Sequence, residues 1–295
     1  MRRQIIVVFL SLFCLALPSA SGVNQGALFT MKANGHTMYL FGTIHVGQPG
    51  FYPLEPRIAA AIAGASTLAL EIDPNEDPAK LALALQLYGR AAPGASTGEM
   101  APVLRERLRK VVQKAGIDAG AIASFRPWLV ATVLAMAEYA SQGYRADLSV
   151  DAHLAQLARK ARVPVIGLES ASSQMGLFDR LSNAEQMAFL EESIDLIESG
   201  KQHAEVRQIV EAWRTADQRI FDDIAARTAS DTSISGRFVK KVLLDERNVA
   251  IADKLAALLR RDDNAVAAIG VLHLIGSDSV PALLGARGVI VERVY

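Results

Sequence analysis

Ala265-Val266-Ala267-Ala268-Ile269-Gly270-Val271-Leu272-His273 is the stretch on which the fold turns. Its first residues carry no charge and no turn former, and the run is too short for a helix. A uniformly apolar run of this length reads as a strand buried on both faces, as in a parallel sheet. The chain then leaves the strand through Gly-x-x-His. Near the other end the same sentence is written again, where Met38-Tyr39-Leu40-Phe41 runs into Gly42-Thr43-Ile44-His45.

Working outward, two further apolar runs of strand length end in carboxylates. Residues 67–72 (TLALEI) carry Glu71, with Asp73 two residues on, expected on the same face while the strand lasts. Residues 163–168 run into Glu169. Residues 27–31 and 38–41 flank Asn34-Gly35, a hairpin signal, and 288–294 form a last strand. Apolar residues at helical spacing mark helices over 81–88, 103–114, 127–141 and 151–161. Ser182-x-x-Glu185 opens another as a capping box, closed at Gly200, and a long one covers 235–260. Short buried strands alternating with helices predict an α/β fold with a mixed, largely parallel central sheet flanked by helices. The mostly helical stretch from about 75 to 260 reads as an insertion in one domain spanning 23–295.

Composition excludes several classes. Hydrophobic residues make up 51% of 295, too many for a disordered chain. The 31 Lys+Arg match the 31 Asp+Glu, so no basic field recruits nucleic acid. Cys14 is the single cysteine, which leaves neither a disulfide framework nor a cysteine zinc site. Arg2 and Arg3 precede an apolar run over 5–17, followed by Ser19, Ala20, Ser21 and Gly22. This is the order of a secretory signal peptide, and the run falls short of the roughly 20 residues that span a bilayer. Cleavage near residue 22 is expected, giving a periplasmic or secreted protein with no stable membrane insertion. Losing Arg2 and Arg3 leaves 29 basic against 31 acidic residues, a net charge of −2.

Ligand sites in open parallel sheets gather beyond the carboxyl ends of the strands. If the four strands are neighbours, His45, His273, Glu71, Asp73 and Glu169 meet there. Imidazole and carboxylate together suit a divalent ion such as Zn or Mn. Such an ion makes hydroxide available near neutral pH, with a carboxylate as general base. Gly42 and Gly270 allow close approach of backbone or substrate. Glu71 equally reads as half of a buried ion pair, and Glu169 as a cap on the segment after it. Asp151-Ala152-His153 opens a helix, as a cap plus a surface histidine or as further ligands. Arg126, ahead of Pro127, is expected to clamp a substrate carboxylate or neutralise Glu71. Asn248, a poor helix former beside Arg247, suggests a hydrogen-bonding task. His36 and His203 read as surface residues. No G-x-S-x-G, H-E-x-x-H, Walker loop or G-x-G-x-x-G is present.

Taken in order, Phe41-Gly42-Thr43-Ile44-His45, Leu70-Glu71-Ile72-Asp73, Arg126-Pro127-Trp128, Asp151-Ala152-His153-Leu154, Gly167-Leu168-Glu169, Glu246-Arg247-Asn248 and Gly270-Val271-Leu272-His273-Leu274 resemble the TraB/GumN family over nearly the whole chain beyond the leader. That family includes the Tiki proteases, described as metal-dependent with manganese or cobalt favoured, and built on two G-x-x-H motifs and a glutamate. The resemblance implies a metal-dependent hydrolase of peptide or related amide bonds. His45, His273 and Glu71 would hold the metal (Mn, Co or Zn) and act catalytically. Asp73, Asp151, His153 and Glu169 would support them or add ligands, and Arg126, Arg247 and Asn248 would orient a peptide or other small substrate. Relatives in the wider superfamily imply two alternatives: erythromycin esterase-like hydrolysis by His and Glu without metal, or ChaN-like binding of haem or metal without catalysis.

Overall fold

The computed structural model describes residues 24–91 and 100–295. The expected signal peptide, including Cys14, lies outside the described residues. Six strands form one sheet: β1 (Leu28–Ala33), β2 (His36–Thr43), β3 (Leu68–Leu70), β4 (Val165–Gly167), β5 (Ala265–Gly270) and β6 (Ile290–Arg293), in the order β4-β3-β5-β2-β1-β6. β4, β3, β5 and β2 run parallel; β1 is antiparallel to β2 and β6 antiparallel to β1. The sheet is therefore mixed and mostly parallel, as the apolar runs predict. β5 lies at its centre and is buried at every position, which is why its sequence shows no alternation. Asn34 (φ 53°) and Gly35 (φ 83°) turn the β1–β2 hairpin in the left-handed region that this residue pair supplies.

The register brings the strand ends together. Thr43 lies opposite Gly270, Leu70 opposite both Ala268 and Gly167. The residues that follow β2, β3, β5 and β4 therefore emerge along one rim, four strands wide.

The helical stretch is less separate than an insertion. Helix Val150–Lys160 packs on β3 and β4, and Arg247–Arg261 packs on β1, β2 and β5, so both belong to the layers of the sheet. Helices Pro102–Lys114, Pro127–Ser141 and Asn183–Glu198 share a second core around Leu104, Val111, Leu134, Leu190 and Ile194. Trp213 ties the two parts together: fully buried in the main core, it donates Nε1–H to the Gly42 carbonyl at 2.9 Å. The long helix expected over 235–260 is interrupted. Ile234–Phe238 is followed by a π-helical segment, Val239–Glu246, and then by Arg247–Arg261. Among the described residues no helix is long and apolar enough to cross a membrane.

Candidate active site

Four strand ends supply the site. β2 leads to His45, β3 to Glu71, β5 to His273 and β4 to Glu169. Glu71 follows β3 directly, and its side chain is 6% exposed. An ionised carboxylate so buried needs partners on both oxygens. Oε1 accepts the Gly270 N–H at 2.5 Å. Oε2 accepts from Arg247 Nη2 at 2.6 Å and from Gln174 Nε2 at 3.4 Å. The same guanidinium reaches Glu169, 2.6 Å from Nη2 to Oε2 and 3.2 Å from Nε to Oε1. Arg247 thus bridges two buried carboxylates.

The imidazoles approach Glu71 from the other side. His45 Nε2 lies 3.9 Å and His273 Nε2 3.7 Å from the same oxygen, Oε1. The far nitrogen of each ring is anchored. His45 Nδ1 pairs with Asp151 Oδ2 at 2.9 Å, and Asp151 Oδ1 accepts from Thr43 Oγ1 at 2.8 Å. His273 Nδ1 meets Asn248 Oδ1 at 2.5 Å, while Asn248 Nδ2 donates to the Asp278 carbonyl at 2.8 Å. An amide oxygen only accepts, so His273 must carry its proton on Nδ1, leaving an Nε2 lone pair aimed at the cluster. The π-helical segment ends one residue before Arg247, and wide turns of this kind recur at functional sites. Gly270 is required for its size: a Cβ there would lie 3.0 Å from Glu71 Oε1 and 3.2 Å from His45 Nε2. Gly42 packs its bare Cα against Val271, whose Cγ2 would stand 2.9 Å from a Cβ.

The two histidines differ in access and electrostatics. The His45 side chain is 62% exposed and that of His273 4%. The Asp151 carboxylate, with help from Glu71, raises His45 to about 9, so an ion bound at its Nε2 would have to displace a proton. Burial lowers His273 to about 4, with Arg247 and His45 acting the same way. Burial would raise Glu71, but His273, His45, Arg247 and the Gly270 N–H outweigh it and bring it down to about 2.

Several expected members stand elsewhere. Arg126 pairs with Asp179 and donates to the Arg90 carbonyl, so it neither neutralises Glu71 nor faces the histidines; Arg247 has that role. Asp73 pairs with Arg159 at 2.9 Å. The alternation that put it beside Glu71 holds only while the chain is extended, and β3 ends at Leu70. His153 stacks on Tyr52, ring centroids 4.0 Å apart, instead of joining the cluster. Asp151 caps nothing, because Ser149 accepts from Ala152 N. Nor is Glu169 a cap, since Ser170 fills that place. His36 is half-buried against the Leu259 carbonyl, and His203 pairs with Glu138 on the surface. Sequence reasoning missed Gln174, which bonds both Glu71 and Glu169 (3.0 Å to the latter), and Lys254, whose ammonium holds the Leu168 carbonyl. Nothing in their local sequence marks either one. Thr43 was legible, lying inside Gly42-Thr43-Ile44-His45.

The donor set has metal chemistry: two imidazole Nε2 atoms and a carboxylate oxygen, each imidazole held through Nδ1 by an acceptor as metal-ligating histidines are. Among the described residues, no group of three or more His, Cys, Asp or Glu is gathered into a ready metal site. The 3.7 and 3.9 Å separations exceed the roughly 3.4 Å between donors bound at about 2.1 Å to a four-coordinate ion.

An α/β protein with a His/Glu cluster at the rim of a mostly parallel sheet is the class these observations define. The chain belongs to the TraB/PrgY/gumN family, which it matches over residues 27–293. It is similar to the uncharacterized protein YbaP of Escherichia coli K12, 26% identical over 255 residues that cover 86% of this chain and 90% of YbaP. An uncharacterized protein of Treponema pallidum is 23% identical over 282 residues, 92% of this chain and 84% of that one. No solved structure matches the chain.

Proposed function

We propose that this cluster hydrolyses peptide or related amide bonds with the help of a divalent metal ion. The observation that carries the reading is the convergence of two Nδ1-anchored imidazoles on one carboxylate oxygen, Glu71 Oε1. His45 Nε2, His273 Nε2 and Glu71 Oε1 would hold the ion, with Mn, Co or Zn suited to that donor set. When bound, such an ion lowers the pKa of water and makes hydroxide available near neutral pH. The chain's own residues prepare the site. Asn248 fixes the tautomer of His273, and Asp151 fixes the ring of His45. Arg247 balances Glu71 and Glu169, so Glu71 stays ionised, a better ligand than base. The exposed face of His45 is where substrate enters. In the net reaction the amide C–N bond breaks, water oxygen joins the carbonyl carbon, and the amine takes up a proton.

A second reading, hydrolysis without metal, draws on the Asp151–His45 pair. A buried carboxylate behind an imidazole that opens to solvent is the arrangement of general acid–base catalysis. Export to the periplasm or medium accompanies both readings and rests on the leader sequence; fractionation of cells expressing the full chain checks it.

The test is cleavage of a fluorogenic peptide library with Mn, Co or Zn added, comparing wild type with Glu71→Gln and with a chelator arm. Turnover that needs the ion and disappears in Glu71→Gln is expected. Turnover that survives chelation transfers the assignment to the His45 reading. No turnover of any peptide or amide overturns the hydrolase.

A further inference from the structure

Asn248 decides which nitrogen of His273 carries the proton, so whatever orients the Asn248 amide acts on the cluster. An amide has an oxygen at one end and an NH2 group at the other, and an imidazole can meet either. Opposite the oxygen, His273 donates from Nδ1. Opposite the NH2 group it would accept there, its proton would move to Nε2, and the cluster would lose that lone pair. The far end of the amide makes the choice. The Asp278 carbonyl lies 2.8 Å from Asn248 Nδ2 and can only accept, so it holds the NH2 end and leaves the oxygen for His273.

That carbonyl belongs to the loop between Val271–Leu274 and helix Val280–Ala286. A cavity of about 210 Å³ is lined by loop residues Ile275, Gly276, Ser277 and Asp278 and by Lys240 and Asn248. Close packing therefore does not hold the loop on this side. A cation does. Lys240 Nζ reaches Asp278 Oδ2 at 3.2 Å and both carboxylate oxygens of Asp245 at 2.6 Å. Ser277 Oγ donates to the same Asp278 oxygen at 2.9 Å. Lys240 and Asp245 are five residues apart, which is about 140° around an α-helix. The i→i+5 turn of Val239–Glu246 brings them to one face, and Asn248 follows two residues after that segment ends. We infer that Lys240 is a positioning residue: by tying Asp278 to the π-helical segment, it keeps the Asn248 amide in the one orientation that aims the His273 Nε2 lone pair at the cluster. The side chains of Lys240 and Asp278 are 28% and 57% exposed, so their pairing contributes little to global stability. Its effect falls on which of two local arrangements is populated. The tautomer effect stands on these hydrogen bonds alone; its bearing on ion binding rests on the proposed function.

The test is nitrogen-15 NMR of the histidine rings in metal-free protein, where protonated and bare ring nitrogens resonate far apart. Wild type should show His273 protonated at Nδ1. In Lys240→Met the ratio of the Nδ1-protonated to the Nε2-protonated form should fall about two- to fivefold, the range open to a partly exposed ion pair. The melting temperature should change by less than about 4 °C. Asp278→Ala keeps the backbone carbonyl and should give the same shift, and the double variant no more than either alone. Lys240→Arg should restore the wild-type signals. Arg180→Met removes a surface pair with Glu246 of the same segment and should move nothing. Wild-type His273 signals in both Lys240→Met and Asp278→Ala, effects that add in the double variant, or equal movement in Arg180→Met overturns the inference. Titration with Zn is read separately. A moved tautomer in a chain that takes up no Zn keeps the role of Lys240 and removes the metal reading; Zn uptake with unmoved His273 signals does the reverse.

Discussion

Replacing Arg247 by Met removes the cation shared by Glu71 and Glu169 while keeping the length of the stem. The Arg247 side chain is 13% exposed and those of the two glutamates 6% and 10%. Breaking a buried pair from one side leaves an uncompensated charge and costs about 3–5 kcal/mol. At about 2–4 °C per kcal/mol for chains of this size, the melting temperature should fall by about 6–20 °C. The loss should depend on pH. In wild type Glu71 is depressed to about 2, so its contribution to stability is fully present above the unfolded value near 4.5 and is lost as pH falls toward 2. Without Arg247 the folded pKa rises, and that contribution shrinks or reverses above 4.5. The gap between wild type and variant should therefore be small at pH 3 and widest at pH 7. Glu71→Gln in the Arg247→Met background should recover part of the loss, because it removes the stranded charge. Thermal unfolding followed by circular dichroism from pH 3 to pH 8 measures all of this. A shift under about 2 °C at pH 7, or a gap independent of pH, refutes the reasoning.

Other outcomes follow from the same geometry. Asn248→Ala leaves the buried Nδ1–H of His273 without an acceptor; it should cost about 1–3 kcal/mol in urea unfolding and at least about tenfold in turnover or metal affinity. Gly270→Ala puts a methyl 3.0 Å from Glu71 Oε1 and 3.2 Å from His45 Nε2, so turnover should fall far more than melting temperature. With chelator present, stability should peak near pH 6.5. Glu71 (folded about 2) and His273 (folded about 4) lose their contributions as pH falls below their unfolded values, and His45 (folded about 9) loses its own as pH rises through that range. A melting temperature flat from pH 3 to pH 9 contradicts those assignments, and Glu71→Gln should flatten the acid limb.

What the sequence revealed follows from what is local. β3 and β5 announced themselves because a strand buried on both faces must be apolar, β4 and β6 by short apolar runs although they are largely exposed, and Asn34-Gly35 marked its turn by needing positive φ. The ends of Pro127–Ser141 and the capping box at Ser182 were legible for the same reason. The cluster was legible because His45, Glu71, Glu169 and His273 each follow an apolar run, so a parallel sheet must gather them if the strands are neighbours. Pairings were not. The sequence points to Arg126 as a partner for Glu71, and only the packing of Arg247–Arg261 on the sheet puts Arg247 there instead. Asp73 was misplaced by carrying a two-residue period past the end of its strand. Gln174 and the π-helical segment are decided by tertiary contacts and leave no local trace.

A divalent ion held by His45, His273 and Glu71 is the central requirement of the proposed hydrolase. Elemental mass spectrometry of the protein, purified free of chelator and offered Mn, Co or Zn, compares wild type with His45→Ala/His273→Ala. About one ion per chain in wild type and none in the double variant is predicted. Wild type that takes up no ion under any condition, or a double variant that keeps it, contradicts the claim.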